Sequence, residues 1–237
     1  MTIAAITGGI MARVRTLSRR SVLKIGGISA VAVGAGGALA SNIAAMCDAT
    51  PRQPVGPFYP VSDQADKNKD LTMVDGGTAL ASGTFLYLSG TVTDQNCQPV
   101  PRVVVEIWQA CETGRYNHPG DEDNPGALDP NFQYWGIALT DSDGRYDFKT
   151  IIPGHYDAAP GWTRPPHIHF KLHKRGIREL ITQMYFAGNP YNENDHILKG
   201  IPEDLRDSVV RTPLARQSEN GRPAMDITFD IGVESLV

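Results

Sequence analysis

The chain has 237 residues, enough for one domain with a substantial core or at most two small ones. A formal charge of -4 without a long basic run argues against nucleic acid as a partner. Charged and apolar fractions of 20% and 41% argue against general disorder. Gly and Pro, 24 and 17 residues, fall mostly between short apolar segments, which favours strands and turns over a helical bundle.

In chain order, Arg13 and Arg15 open a basic stretch that ends in Ser18-Arg19-Arg20-Ser21-Val22-Leu23-Lys24. A Gly/Ala-rich apolar run follows from Ile25 to Ala40 and closes on Ala38-Leu39-Ala40. Basic, then apolar, then small is the layout of an export signal. The run is shorter than the roughly 20 residues that span a bilayer. Paired arginines flanked by Ser18 and Lys24 fit the twin-arginine pattern, a route for proteins that fold before export. Residues 1–40 are therefore expected to be a twin-arginine-type signal peptide. The mature protein would be periplasmic or extracellular without a stable membrane span, and cleavage at Ala40 is left open.

Ser41–Ala81 is polar and rich in Pro, Gly and Asp, and is expected to be an arm over the surface rather than core. Residues 82–237 would form the main domain. Its expected strands are Thr84–Thr93, Val103–Ala110, Gln133–Thr140, Arg145–Thr150, His167–His173, Leu180–Phe186 and Ala224–Val233. Asp141-Ser142-Asp143-Gly144 reads as a hairpin turn between two of them. Only Asp195–Val210 has helical character, interrupted by Pro202. The sum is an all-β chain, a single β-sandwich domain with long loops and an N-terminal arm.

Cys47, Cys97 and Cys111 lack CxxC spacing, so a cysteine-based metal site is not expected. Buried or partly exposed thiols are the favoured reading, with one disulfide open if the protein is exported.

Arg164-Pro165-Pro166-His167-Ile168-His169-Phe170-Lys171-Leu172 carries the most chemistry. Alternation along a strand puts His167 and His169 on one face, and Ile168, Phe170 and Leu172 on the other. Two imidazoles on one face can converge on one ion. Alone, such a pair is as often solvent-facing or hydrogen-bonded. His118, His155, His173 and His196 have no such geometry. Tyr116 and Tyr156 lie in loop contexts, where a tyrosine usually only packs. A phenol with its ordinary pKa near 10 binds metal at neutral pH only when a strongly charged ion displaces its proton, which ferric iron does readily.

Eight segments together resemble the intradiol ring-cleavage dioxygenases. They are Gly56-Pro57-Phe58-Tyr59-Pro60, Val105-Glu106-Ile107-Trp108-Gln109-Ala110, Gly114-Arg115-Tyr116 and Leu128-Asp129-Pro130-Asn131-Phe132. The others are Thr140-Asp141-Ser142-Asp143-Gly144, Pro153-Gly154-His155-Tyr156, Arg164 to His169, and Thr182-Gln183-Met184-Tyr185-Phe186. The similarity runs from Gly56 to the C-terminus and is nearest the protocatechuate 3,4-dioxygenase branch. It implies a non-haem Fe(3+) dioxygenase that cleaves a catecholic ring between its hydroxyl-bearing carbons with O2, giving a muconate-type diacid.

Tyr116, Tyr156, His167 and His169 would be the metal ligands. Tyr156 would leave when substrate binds. Arg164 would stabilise charge on the substrate ring, with Gln183 beside it. A small aromatic diol and O2 are the implied partners, and homo-oligomerisation is left open. Three departures bear on the substrate: Cys97 and Cys111 replace the family's usual Gly and Asp or Asn, and Asp157-Ala158-Ala159 replaces a bulkier, aromatic run. Alternatives are a transthyretin-like or carbohydrate-binding sandwich without catalysis, a zinc or copper enzyme using the histidines alone, and an iron-binding relative acting on an unusual substrate.

Overall fold

The computed structural model describes residues 47–64 and 66–236. The expected export signal, residues 1–40, lies outside them, as does the start of the arm. In chain order the strands are β1 (Phe85–Thr93), β2 (Val104–Trp108), β3 (Trp135–Leu139), β4 (Arg145–Ile151), β5 (Tyr156–Ala159) and β6 (Trp162–Arg164). There follow β7 (His167–His173), β8 (Leu180–Phe186), β9 (Val210–Arg211), β10 (Leu214–Glu219), β11 (Arg222–Thr228) and β12 (Ile231–Gly232).

Leu86, Leu88 and Val92 of β1 are buried at every second or fourth position, the period of a strand with one face in a core. β4 pairs with β1 antiparallel on one side. β11 and β12 pair with it in parallel on the other, and β10 closes that edge against β11. The second sheet has the order β3-β2-β7-β8-β9. Leu88 and Phe148 of the first sheet share one buried cluster with Ile107, Ile168, Phe170, Leu172 and Met184 of the second. The expected all-β sandwich is thus the observed fold.

Three expectations need correction. Ala224–Val233 is two strands, because the chain pairs separately with the two ends of β1. The Asp141–Gly144 turn forms, with Asp141 Oδ1 accepting the Asp143 and Arg145 N–H groups. However, it carries the chain from β3 in one sheet to β4 in the other and so joins layers rather than a hairpin. The partly helical segment forms as expected, α1 (His196–Lys199) and a 3₁₀ turn at Glu203–Ser208 lying on either side of Pro202, with a further 3₁₀ turn at Pro190–Asn194 before them. Four short strands, β5, β6, β9 and β10, were not expected at all.

The arm also differs from its expected role. Leu71 and Ala81 are fully buried in the main core. Leu71 is held there by its N–H on the Lys149 carbonyl (2.7 Å) and its carbonyl on the Gln133 N–H (3.0 Å). Cys47 and Cys97 form a disulfide that ties the start of the described arm to the turn after β1, so the free-thiol reading holds only for buried Cys111. Among the described residues no helix is long and apolar enough to cross a membrane.

Candidate functional site

The site lies on the outer face of the second sheet. Cross-strand register sets His169 between Trp108 of β2 and Gln183 of β8, and His167 opposite Tyr185. The intervening Ile168 and Phe170 point into the main core, as alternation requires. Both histidines are nonetheless buried, because loops and the arm cover this face. Phe58 of the arm packs on Tyr116 at 4.6 Å between ring centroids and on Tyr156 at 5.8 Å.

Tyr116 comes from a loop, whereas Tyr156, expected in a loop, opens β5, and two glycines let the Tyr116 loop touch the segment that leads into β5. Gly114 sits at φ +82°, and a Cβ there would collide with the His155 carbonyl. A Cβ on Gly154 would collide with the Glu112 carbonyl and the Gly114 nitrogen. The Cys111 carbonyl accepts from both Gly114 (3.0 Å) and Gly154 (2.9 Å), locking backbone to backbone. The tyrosine rings consequently meet edge to face at 5.7 Å.

All four singled-out rings converge. Centroids lie 4.8 Å apart for His167 and His169, 5.8 Å for Tyr156 and His167, and 6.3 Å for Tyr116 and His169. Tyr116 Oη is 3.4 Å from His167 Nε2. His167 Nδ1–H donates to the Pro165 carbonyl at 2.6 Å, which leaves Nε2 with its lone pair facing the phenol. His169 is oriented differently: its Nδ1 is buried without a hydrogen-bond partner, and its ring stacks on Trp108 at 4.7 Å and 10°.

Burial pushes both imidazoles well below their ordinary pKa, and the Arg164 charge adds to this, so they are neutral donors. Burial likewise raises both phenols, with Arg164 pulling in the opposite direction. Among the described residues no group of three or more His, Cys, Asp or Glu converges on a metal-sized point. Tyr116 and Tyr156 are the oxygen-bearing rings that lie beside His167 and His169.

Arg164 enters from the β5–β6 hairpin, where it is the cross-strand partner of Tyr156. It is 2% exposed. Its Nε donates to Asp195 Oδ2 (2.7 Å) and its Nη2 to Gln183 Oε1 (2.7 Å) and Tyr185 Oη (3.3 Å). Asp195 is also the N-cap of α1, accepting from Leu198 N at 2.8 Å. Sequence reasoning singled out Arg164 and Gln183 but missed Asp195 and Tyr185 as their supports, and Trp108 as the ring stacked on His169. An Asp ahead of a helical segment was the available signal for Asp195. The remaining histidines stay outside the four-ring nest: His118 caps Gly120, His155 packs on Tyr191, and His196 stacks on Trp162. His173, at the far end of β7, lies 3.4 Å from Glu106.

Tyr156 and Arg164 form part of the wall of a cleft of about 1110 Å³. The cleft is large enough to admit a small aromatic molecule beside Tyr156.

Comparison with known proteins agrees with this geometry. The dioxygenase family profile matches residues 55–235. The protocatechuate 3,4-dioxygenase beta chain of Burkholderia cepacia is 40% identical over 186 residues, covering 76% of this chain and 77% of that one. The catechol 1,2-dioxygenase of Acinetobacter baylyi is 31% identical over 205 residues, covering 80% of this chain and 64% of its own length. Among solved structures, the dioxygenase domain of a carbohydrate-binding fusion from Streptomyces sp. SirexAA-E superposes with a TM-score of 0.57 at 28% identity, covering 79% of this chain and 99% of that one. The chain belongs to the intradiol ring-cleavage dioxygenases, a family of enzymes that act on catechol-type rings.

Proposed function

We propose that this protein is a non-haem Fe(3+) dioxygenase that opens a catecholic ring between its two hydroxyl-bearing carbons. One C–C bond breaks and both atoms of O2 enter the product, a muconate-type diacid. The observation that carries this reading is the convergence of Tyr116, Tyr156, His167 and His169 in one buried nest beside a cleft.

The donor set fits a ferric ion. Two neutral imidazoles supply lone pairs, and two phenolates would offset two of the ion's three charges in a site where burial opposes free charge. Zinc or ferrous iron, with weaker polarising power, would not readily deprotonate phenols held this high. When bound, the ion would supply Lewis acidity toward the diolate and the redox chemistry needed for O2.

The chain's own residues then have distinct tasks. Tyr156 borders the cleft and, as a phenolate, would take one proton from an incoming diol. Tyr116, 3% exposed, lies deeper and would stay in place. Arg164, fixed by Asp195, Gln183 and Tyr185, sets a cation where negative charge grows on the ring. Phe58 and Trp108 keep water from the ligand rings.

Oxygen uptake with unsubstituted catechol, followed by the spectrum of the diacid, tests the activity. Tyr156→Phe should lower kcat by about 100-fold or more while iron remains bound. Loss of iron on this change alone would remove Tyr156 from the exchangeable position.

We also propose export by the twin-arginine route. The Cys47–Cys97 disulfide supports a destination in an oxidising compartment. Replacing Arg19 and Arg20 by lysine should retain the protein in the cytoplasm. Unchanged export would argue for an ordinary secretory signal.

A further inference from the structure

We infer, resting on the ring-opening reading above, that the cleft beside Tyr156 selects a catechol carrying an extended, non-anionic side chain, with a terminal ammonium accommodated best. Size is the first argument. At about 1110 Å³ the cleft slightly exceeds the roughly 300–1,000 Å³ of pockets that take drug-sized ligands, so a bare diol would leave most of it empty. Ala158 contributes only a methyl group to the wall, and Trp162 and Tyr191 offer apolar surface against which a linker can lie.

Charge is the second argument. Asp121, Asp123 and Asp157 all line the cleft, and Arg164 is the one permanent cation among its described lining residues. That guanidinium is already paired with buried Asp195 at 2.7 Å. Asp121 is fixed by the Tyr116 N–H at 2.7 Å, and Asp157 by the Thr163 hydroxyl at 2.5 Å. Both carboxylates are therefore held in place rather than free to swing away. Asp123 and Asp157 are exposed, at the solvent side of the cleft. With its diol oxygens at Tyr156 and Arg164, a substrate would direct its side chain outward past these acids. A carboxylate there meets repulsion, whereas an ammonium meets attraction.

Three catechols of similar reach provide the test: 4-(2-aminoethyl)catechol, 4-propylcatechol and 3-(3,4-dihydroxyphenyl)propanoate, with unsubstituted catechol alongside. The expected kcat/KM is at least about tenfold higher for the amine and the propyl compound than for the propanoate. Propanoate turnover equal to or above the other two overturns the inference and leaves the ring-opening reading intact. Failure to consume any of them, unsubstituted catechol included, overturns that reading itself. In an Asp123→Asn/Asp157→Asn double variant the amine-to-propanoate ratio should fall roughly fivefold. This ratio is read within one preparation and does not depend on how much of the variant folds. An unchanged ratio would remove the two acids as the source of selectivity.

Discussion

Replacing His167 or His169 by alanine should abolish iron loading and lower ring-cleaving activity by more than about 100-fold. The reason lies in the scarcity of alternatives. Among the described residues no third His, Cys, Asp or Glu stands close enough to substitute. The single imidazole left beside two phenols is a poor site, because burial raises both phenols and favours their protonated forms. The two variants should differ in stability. His167 anchors the Pro165 carbonyl through a 2.6 Å bond, and removing it leaves a buried acceptor unsatisfied. His169 contributes a stacked ring against Trp108 and no such bond at Nδ1, so its loss creates a cavity instead. Iron content by elemental analysis and oxygen uptake read the effect. Full iron occupancy in either variant would show that the imidazole is not a ligand.

Arg164→Gln should lower kcat by about 100- to 1,000-fold with iron still bound, the scale of losing one fixed electrostatic donor at a reacting centre. Arg164 is also half of a buried ion pair, so the single variant leaves Asp195 as an unpaired buried charge, a change that typically costs about 3–5 kcal/mol. A double variant, Arg164→Gln/Asp195→Asn, separates the two roles. Removing both charges should recover much of the folding stability, measured by chemical denaturation, without recovering turnover per bound iron. Recovery of turnover in the double variant would make Arg164 a structural residue.

Much of this arrangement was legible in the sequence, for identifiable physical reasons. The His167-Ile168-His169-Phe170 alternation depends only on strand geometry, and the structure places each side chain on its expected face. Asp141-Ser142-Asp143-Gly144 formed its turn because an Asp side chain can cap its own loop and Gly144 tolerates φ +72°. That it joins two sheets was not legible, since turn chemistry is local and sheet membership is not. The β5–β6 hairpin escaped for a similar reason. Asp157-Ala158-Ala159-Pro160-Gly161 has no apolar alternation, yet this hairpin makes Tyr156 and Arg164 neighbours. Leu71 lies in a polar stretch and looked peripheral, but it fills the core through contacts with residues far along the chain. The docking of Gly114 against the His155 carbonyl is likewise a long-range event, visible in the sequence only as a glycine before a tyrosine motif.

Two phenolates and two imidazoles sharing one trivalent ion would give the protein a distinctive colour. The visible spectrum of the purified protein, taken together with its iron content, tests this most directly. Near-stoichiometric iron with a broad tyrosinate-to-iron charge-transfer band, giving a red to burgundy solution, is the expected result. A fully iron-loaded protein that is colourless would contradict it.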